Sequence, residues 1–259
     1  MNRQLPNTVW HTEAGDADAP LVGLVHGTMD RASGMLKLSR RLDDRYRVLR
    51  YDRRGYGRST PHDGPFGMGQ QVADLVTLLG GRRAVLVGHS YGGNVVLATA
   101  ARHPELVAGV ALYETPMSWE QSWPGTTAGA VAVASQQDTA MAAELFMRRL
   151  IGDRRWDELP EGTRATRRSE GAALVGELSD LRANKPWDPA DLCLPVIAGC
   201  GSDARPHHRD GMARLASIID GAELVILPGC RHDAPTSHPA EFFTAMVEPL
   251  LALVGPPWS

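Results

Sequence analysis

Lysine is almost missing from this chain. Of its 27 basic residues only Lys37 and Lys185 are lysines, and arginines recur in scattered pairs, Arg53-Arg54, Arg148-Arg149, Arg154-Arg155 and Arg167-Arg168, interleaved with acids. With a formal net charge of -3 there is no global attraction for a phosphate backbone, and the pairs do not read as a basic patch, so nucleic acid is not an expected partner. Long apolar runs are lacking too. None approaches the ~20 residues a bilayer-spanning helix needs, so no membrane span or membrane partner is expected. Met1 to Trp10 carries Arg3 with no apolar stretch behind it, so no secretory signal is read and the cytoplasm is the expected compartment. Cysteine is scarce: Cys193, Cys200 and Cys230 are odd in number and lack metal-ligand spacing, which predicts reduced thiols and no zinc site.

What remains is the composition of a folded chain, 43% hydrophobic over 259 residues, enough to bury a large core. Short apolar runs alternate with segments of helical period, the pattern of parallel strands joined by crossover helices. Strands are expected around Thr8 to Glu13 and at Leu21 to Val25, Arg47 to Tyr51, Ala84 to Gly88, Val107 to Tyr113, Val196 to Cys200 and Glu223 to Leu227. Helices are expected at Ser33 to Leu42, Gly69 to Leu79, Gly92 to Arg102, Arg209 to Ile219 and Pro239 to Leu253. From Thr115 to Asp191 the alternation stops, and Gly- and Pro-punctuated helical pieces rich in Ala, Trp and Met take over. The expected fold is therefore α/β, a mostly parallel central sheet flanked by helices, with residues 1–114 and 192–259 as core and 115–191 as a helical cap insertion.

The segment with the sharpest chemical content is Val85 to Asn94, where a buried strand runs into Gly88-His89-Ser90-Tyr91-Gly92 and then into a helix. This is the G-x-S-x-G nucleophile elbow, in which the serine sits on a strained turn that only small neighbours tolerate. An oxyanion hole needs backbone N–H donors aimed at the carbonyl oxygen as it gains charge. Tyr91 would supply one, and Thr28, in His26-Gly27-Thr28-Met29 after the strand Leu21 to Val25, the second. The Thr28 hydroxyl either adds a bond there or caps the next helix.

On these residues, together with Tyr51-Asp52-Arg53-Arg54-Gly55-Tyr56-Gly57-Arg58-Ser59, which is similar to a D-x-R-G-x-G-x-S signature, the chain resembles the α/β-hydrolase fold superfamily in its compact bacterial esterase-like branch. The resemblance implies that the signature shapes the loops beside the active site, and that the chain order is nucleophile, acid, histidine. Of nine histidines, His232 follows the last expected strand, and Pro239-Ala240-Glu241-Phe242 after it resembles the family's final helix. His232 is thus the expected base. His26 and His89 are read as structural, His238 as a capping or surface residue, and His207 and His208 as no metal site, since no third ligand falls at their spacing. For the acid, Gly201-Ser202-Asp203 resembles the family's G-x-x-D turn, one residue shorter. Asp203 is preferred, with Glu114, after the strand Val107 to Tyr113, as its rival.

Ser90, His232 and the acid would carry out two-step acyl transfer on a small-molecule ester, lactone or thioester without a cofactor. Ser90 argues against the relatives that use Asp at this position. Hydroxynitrile lyases, carbon-carbon bond hydrolases, cofactor-free haloperoxidase-like enzymes and, less favoured, small-molecule receptors remain as alternatives on the same residues. Met29, Met117, Trp119, Trp123 and Met147 are the expected substrate contacts, with Met141, Phe146 and Trp156 as further apolar residues of the insertion. For any single one of them, packing of the cap onto the core is the favoured reading, since Met and Trp at helical spacing are ordinary core residues. Oligomeric state leaves no trace in the sequence.

Overall fold

The computed structural model describes residues 9–255. Seven strands form one sheet: β1 (His11–Ala14), β2 (Leu21–Val25), β3 (Arg47–Tyr51), β4 (Ala84–His89), β5 (Val107–Tyr113), β6 (Val196–Gly201) and β7 (Glu223–Leu227). Their order is β1-β3-β2-β4-β5-β6-β7. Only β1 runs antiparallel, against β3, and every other pairing is parallel. Central strands buried on both faces need apolar residues throughout, which is why β2 and β5 read as unbroken runs. Successive residues then serve opposite cores: Val22, Leu24, Val85 and Val87 pack into one apolar cluster, while Leu21, Val25, Ala84 and Leu86 pack into the other. Thr8, the first residue of the earliest expected strand, lies outside the described residues.

Helices α1 (Leu36–Ser39), α2 (Met68–Leu79) and α3 (Tyr91–Arg102) join the first strands. Between β5 and β6 come α4 (Ala128–Ala134), α5 (Thr139–Ile151), α6 (Asp153–Asp157), α7 (Glu161–Ser169) and α8 (Gly171–Ala183), with no strand among them. Then follow α9 (Pro206–Ile218), α10 (Ala234–Ser237), α11 (Pro239–Phe242) and α12 (Glu248–Val254). Two expected helices are broken. The piece expected at Ser33 to Leu42 begins as a 3₁₀ turn, Ala32–Met35, because the Asp52 carboxylate takes the Ala32 N–H at 2.7 Å and draws that end onto the β3 loop. The C-terminal helix widens into a π turn at Phe243–Val247. Pro249, just beyond it, has no N–H to continue the regular ladder.

Candidate active site

Parallel strands in register bring their C-terminal ends to one edge, and the candidate residues are gathered there. His89 pairs with Tyr113, and Tyr113 with Gly199, so Ser90, Glu114 and the end of β6 are laid side by side. Two backbone bonds extend the alignment, Ser90 N–H to Tyr113 O at 2.8 Å and Glu114 N–H to Gly199 O at 3.0 Å. β2, on the other side of β4, delivers His26 to Met29 beside Ser90: a Cβ on Gly27 would stand 2.9 Å from the Ser90 Cβ.

Backbone strain is concentrated at this edge. Among the described residues the non-glycines with positive φ are Met29 (φ 56), Ser90 (φ 53) and Glu114 (φ 47), and each ends a segment that reaches the site. Such conformations cost about 1–3 kcal/mol apiece and persist only where surrounding contacts over-determine them. At Ser90 those contacts are visible. A Cβ on Gly88 would meet the Gly93 Cα at 2.6 Å, and one on Gly92 would meet the His26 carbonyl oxygen at 2.6 Å, so the turn closes only with glycine at both places.

His232 is brought to this edge, and its partner there is Glu114. His232 Nδ1 lies 2.7 Å from Glu114 Oε2, and Oε1 of the same fully buried carboxylate accepts Gly201 N–H at 3.2 Å. Asp203, the preferred acid of the sequence reading, is not brought to the ring. Three bonds clamp its turn, Ser202 N–H to Leu227 O, Asp203 N–H to Cys230 O and Ala204 N–H to Gly201 O. They leave the Asp203 side chain exposed, accepting the Ser202 hydroxyl at 3.0 Å. The shortened turn is the physical reason: β6 runs on to Gly201, whose missing Cβ lets the Cys230 backbone close in, and Glu114 fills the space facing the imidazole.

The loop carrying His232 is pinned at successive carbonyls, by the Tyr113 hydroxyl on Arg231 O at 2.9 Å and by His89 Nε2–H on His232 O at 2.8 Å. His89 is buried, and that burial, reinforced by the nearby His232, holds it down to about 3, so it stays a neutral donor. The His208 ring stacks on His232 at 4.7 Å and 23° and lies next to His207 at 4.3 Å. Burial, with His232 beside it, keeps His208 well below the ordinary imidazole range.

The fold groups His208, though not its neighbour His207, with Glu114 and His232. Donor atoms of Glu114, His208 and His232 lie within 4.8 Å of one another. Metal-ligating lone pairs lie in the imidazole plane, however, and two rings stacked at 23° send theirs side by side rather than to a common point. The donor set does not fit an ion unless a ring turns.

Beneath the Thr28 loop lies a buried polar network that the sequence reading missed. Arg53 donates from Nε to His26 O and from Nη2 to Gly27 O, both at 3.0 Å, and forks onto Glu177 of α8, Nη1 to Oε2 at 2.5 Å and Nη2 to Oε1 at 3.2 Å. Glu177 Oε1 also accepts the Thr28 hydroxyl at 2.7 Å and the Tyr56 hydroxyl at 2.8 Å. The Thr28 hydroxyl therefore binds a carboxylate of the insertion instead of capping a helix. Burial works against the charge on Arg53, but Glu177 outweighs it and holds the guanidinium firmly protonated. Arg53 N–H donates to His26 Nε2 at 2.8 Å, so that nitrogen is bare and the proton sits on Nδ1, which donates to Gly27 O at 2.8 Å.

The apolar candidates divide. Met29, Met117 and Met147 are buried in the same apolar cluster as Tyr91 and Leu112, with Trp119 and Trp123 packed against it. Trp119 meets Trp187 edge-on at 5.6 Å. Trp123 packs edge-on against His207 and His208, one ring away from His232. Phe146 and Trp156 are buried and Met141 is exposed. The three cysteines are free thiols, and no helix is long and apolar enough to cross a membrane among the described residues.

Residues 24–245 match the profile of the alpha/beta hydrolase family. In sequence the chain is similar to the pimeloyl-[acyl-carrier protein] methyl ester esterase of Yersinia enterocolitica, 28% identical over 251 residues that cover 90% of this chain and 94% of the relative. It is also similar to the 2-(acetamidomethylene)succinate hydrolase of Mesorhizobium japonicum, 23% identical over 228 residues, 82% of this chain and 81% of the relative. In structure it resembles the enol-lactonase from Burkholderia xenovorans LB400, with a TM-score of 0.74 at 22% identity over 94% of this chain and 96% of that one, a likeness of fold.

Proposed function

Because the chain belongs to the alpha/beta hydrolase family, we propose that the site at its sheet edge cleaves a carboxylic ester-like bond of a small molecule through an acyl-enzyme on Ser90. The observation that carries this reading is the 2.7 Å contact of His232 Nδ1 with the buried Glu114 carboxylate, beside a serine at φ 53 in a glycine-flanked elbow. A carboxylate can only accept at that distance, so Nδ1 carries the proton and Nε2 keeps a lone pair for the serine hydroxyl. Glu114 takes the orienting role first given to Asp203.

The steps follow. Ser90 Oγ attacks the substrate carbonyl while its proton passes to His232 Nε2, and the oxygen that gains charge is met by the N–H groups of Tyr91 and Thr28. His232 returns the proton to the departing alcohol, leaving an ester on Ser90. Water then repeats the sequence, releases the acid and restores the hydroxyl. The chain's own residues supply every group in this scheme. Relatives named for an ester and a succinate derivative and a structural neighbour named for an enol lactone support acyl chemistry without selecting a substrate. The segment between β5 and β6 would act as the cap that chooses it, with Trp123 one ring from the base, while Met29, from the loop after β2, adjoins Thr28.

A screen of nitrophenyl esters of two to eight carbons, lactones, thioesters and cyanohydrins tests this, with wild type and Ser90→Ala in parallel. The expected outcome is turnover of an acyl substrate that disappears in Ser90→Ala. Cyanohydrin cleavage without ester turnover would replace the hydrolase reading with a lyase.

A further inference from the structure

Several interactions converge on one peptide plane. The Gly27 carbonyl accepts from Arg53 Nη2 at 3.0 Å and from His26 Nδ1 at 2.8 Å. The cis bonds among the described residues are Thr60-Pro61 and Gly64-Pro65, so the Gly27-Thr28 bond is trans. In a trans peptide the C=O of one residue and the N–H of the next share a plane and point in opposite directions. Fixing the Gly27 oxygen therefore aims the Thr28 N–H. The neighbouring carbonyl, His26 O, is held by Arg53 Nε, so one guanidinium spans two consecutive peptide planes of the loop.

Arg53 has its own anchor, and it comes from elsewhere in the chain. Glu177 lies on α8, grips Arg53 with both oxygens, and takes the Thr28 hydroxyl as well. All members are fully buried except Thr28, which is nearly so, and a guanidinium and a carboxylate that have given up water are held to one geometry by these bonds.

We propose that Arg53 and Glu177 are positioning residues that aim the Thr28 N–H at the reacting carbonyl oxygen, so that the oxyanion site is complete only while α8 is seated on the core. This rests on the acyl-transfer reading above. It makes the insertion part of the rate-determining geometry as well as of substrate choice, and it is silent on which ester is bound.

The test uses three forms of the full chain: wild type, Glu177→Gln, which keeps the shape and loses the charge, and the double variant Arg53→Met with Glu177→Leu. Replacing both members of a buried ion pair by apolar residues avoids the lone buried charge that a single removal leaves, which separates aiming from folding. On nitrophenyl butyrate, kcat should fall about 10- to 100-fold in both variants with KM within about twofold, since loss of one oxyanion donor costs roughly 10²–10³ in kcat. Affinity for butylboronic acid, which forms a tetrahedral adduct on serine, should fall in parallel, while affinity for the product butyrate should not. A fourth form, Glu177→Leu alone, leaves Arg53 buried without a counter-charge, and the double variant should melt above it. Wild-type kcat in either variant, or a kcat that recovers with the melting temperature in the double variant, overturns the positioning role. A wild type that turns over none of the esters, lactones and thioesters of the screen and binds no boronate overturns the acyl-transfer reading and takes this proposal with it.

Discussion

Glu114 and Glu177 are both fully buried carboxylates, one at the edge of the sheet and one on the helical insertion, yet they face different kinds of nitrogen. Glu114 faces an imidazole, a ring that can take a proton from one reacting atom and hand it to another. Glu177 faces a guanidinium, which cannot. Burial raises the price of a charge in both places. At Glu114 the charge of the partner can change during a reaction, so the pair can respond to a proton arriving on the ring. At Glu177 the guanidinium keeps its proton and two hydroxyls complete the shell, so the pair holds geometry and transfers nothing. The contrast assigns chemistry to one carboxylate and alignment to the other, and four changes would break or sharpen it.

The largest effect is expected at Glu114. Glu114→Gln removes the charge opposite His232 and admits the wrong ring tautomer, so kcat should drop on the order of 10⁴-fold, while thermal unfolding moves little because an amide still fills the site. Steady-state kinetics beside a melting curve checks both halves.

Glu177→Leu should show the reverse emphasis in stability. It strands Arg53 without a counter-charge, and breaking a buried pair from one side costs about 3–5 kcal/mol, readable in a urea titration against Glu114→Gln. A loss below about 1 kcal/mol would mean that water reaches Arg53.

A smaller effect concerns acid. His89 is held down to about 3 by burial, while in the unfolded chain it takes up a proton near the ordinary 6.5. The unfolded state therefore binds more protons between these values, and stability present above pH 6.5 is lost as pH falls toward 3. His89→Gln retains a donor for His232 O and should flatten the fall in melting temperature across that window; an unchanged slope would assign the acid sensitivity to other groups.

The smallest effect is predicted for Asp203→Asn. Its carboxylate is exposed and bonded to Ser202, so kcat should stay within about twofold of wild type, as for surface changes generally. A large loss would reopen the contest with Glu114.

Periodicity and glycine placement made most of the core legible. β2, β3, β5 and β7 lie where apolar runs bounded by turn residues put them; β2 and β5 are buried on two faces and tolerate little else, whereas the edge strand β7 is largely exposed. That Ser90 and His232 come to the same sheet edge was legible because elbow glycines and a position after the last strand are local signals. The choice of acid was not, since Glu114 and Asp203 both end strands at the same edge, and only the clamped turn after Gly201 decides which reaches the ring. Glu177 left no signal at all. It sits 149 residues from its partner Thr28, in a stretch legible only as helical pieces rich in Ala, Trp and Met, and only the packing of α8 shows it to be buried. His208 escaped for a related reason: ligand spacing in sequence is blind to groups that strand register brings together.

The most direct test of the central claim is covalent. Incubation with a fluorophosphonate, followed by intact-mass and peptide analysis, should show one adduct on the peptide containing Ser90, formed far more slowly in Glu114→Gln and at the wild-type rate in Asp203→Asn. An adduct elsewhere, or none on wild type, would contradict a serine activated by His232 and Glu114.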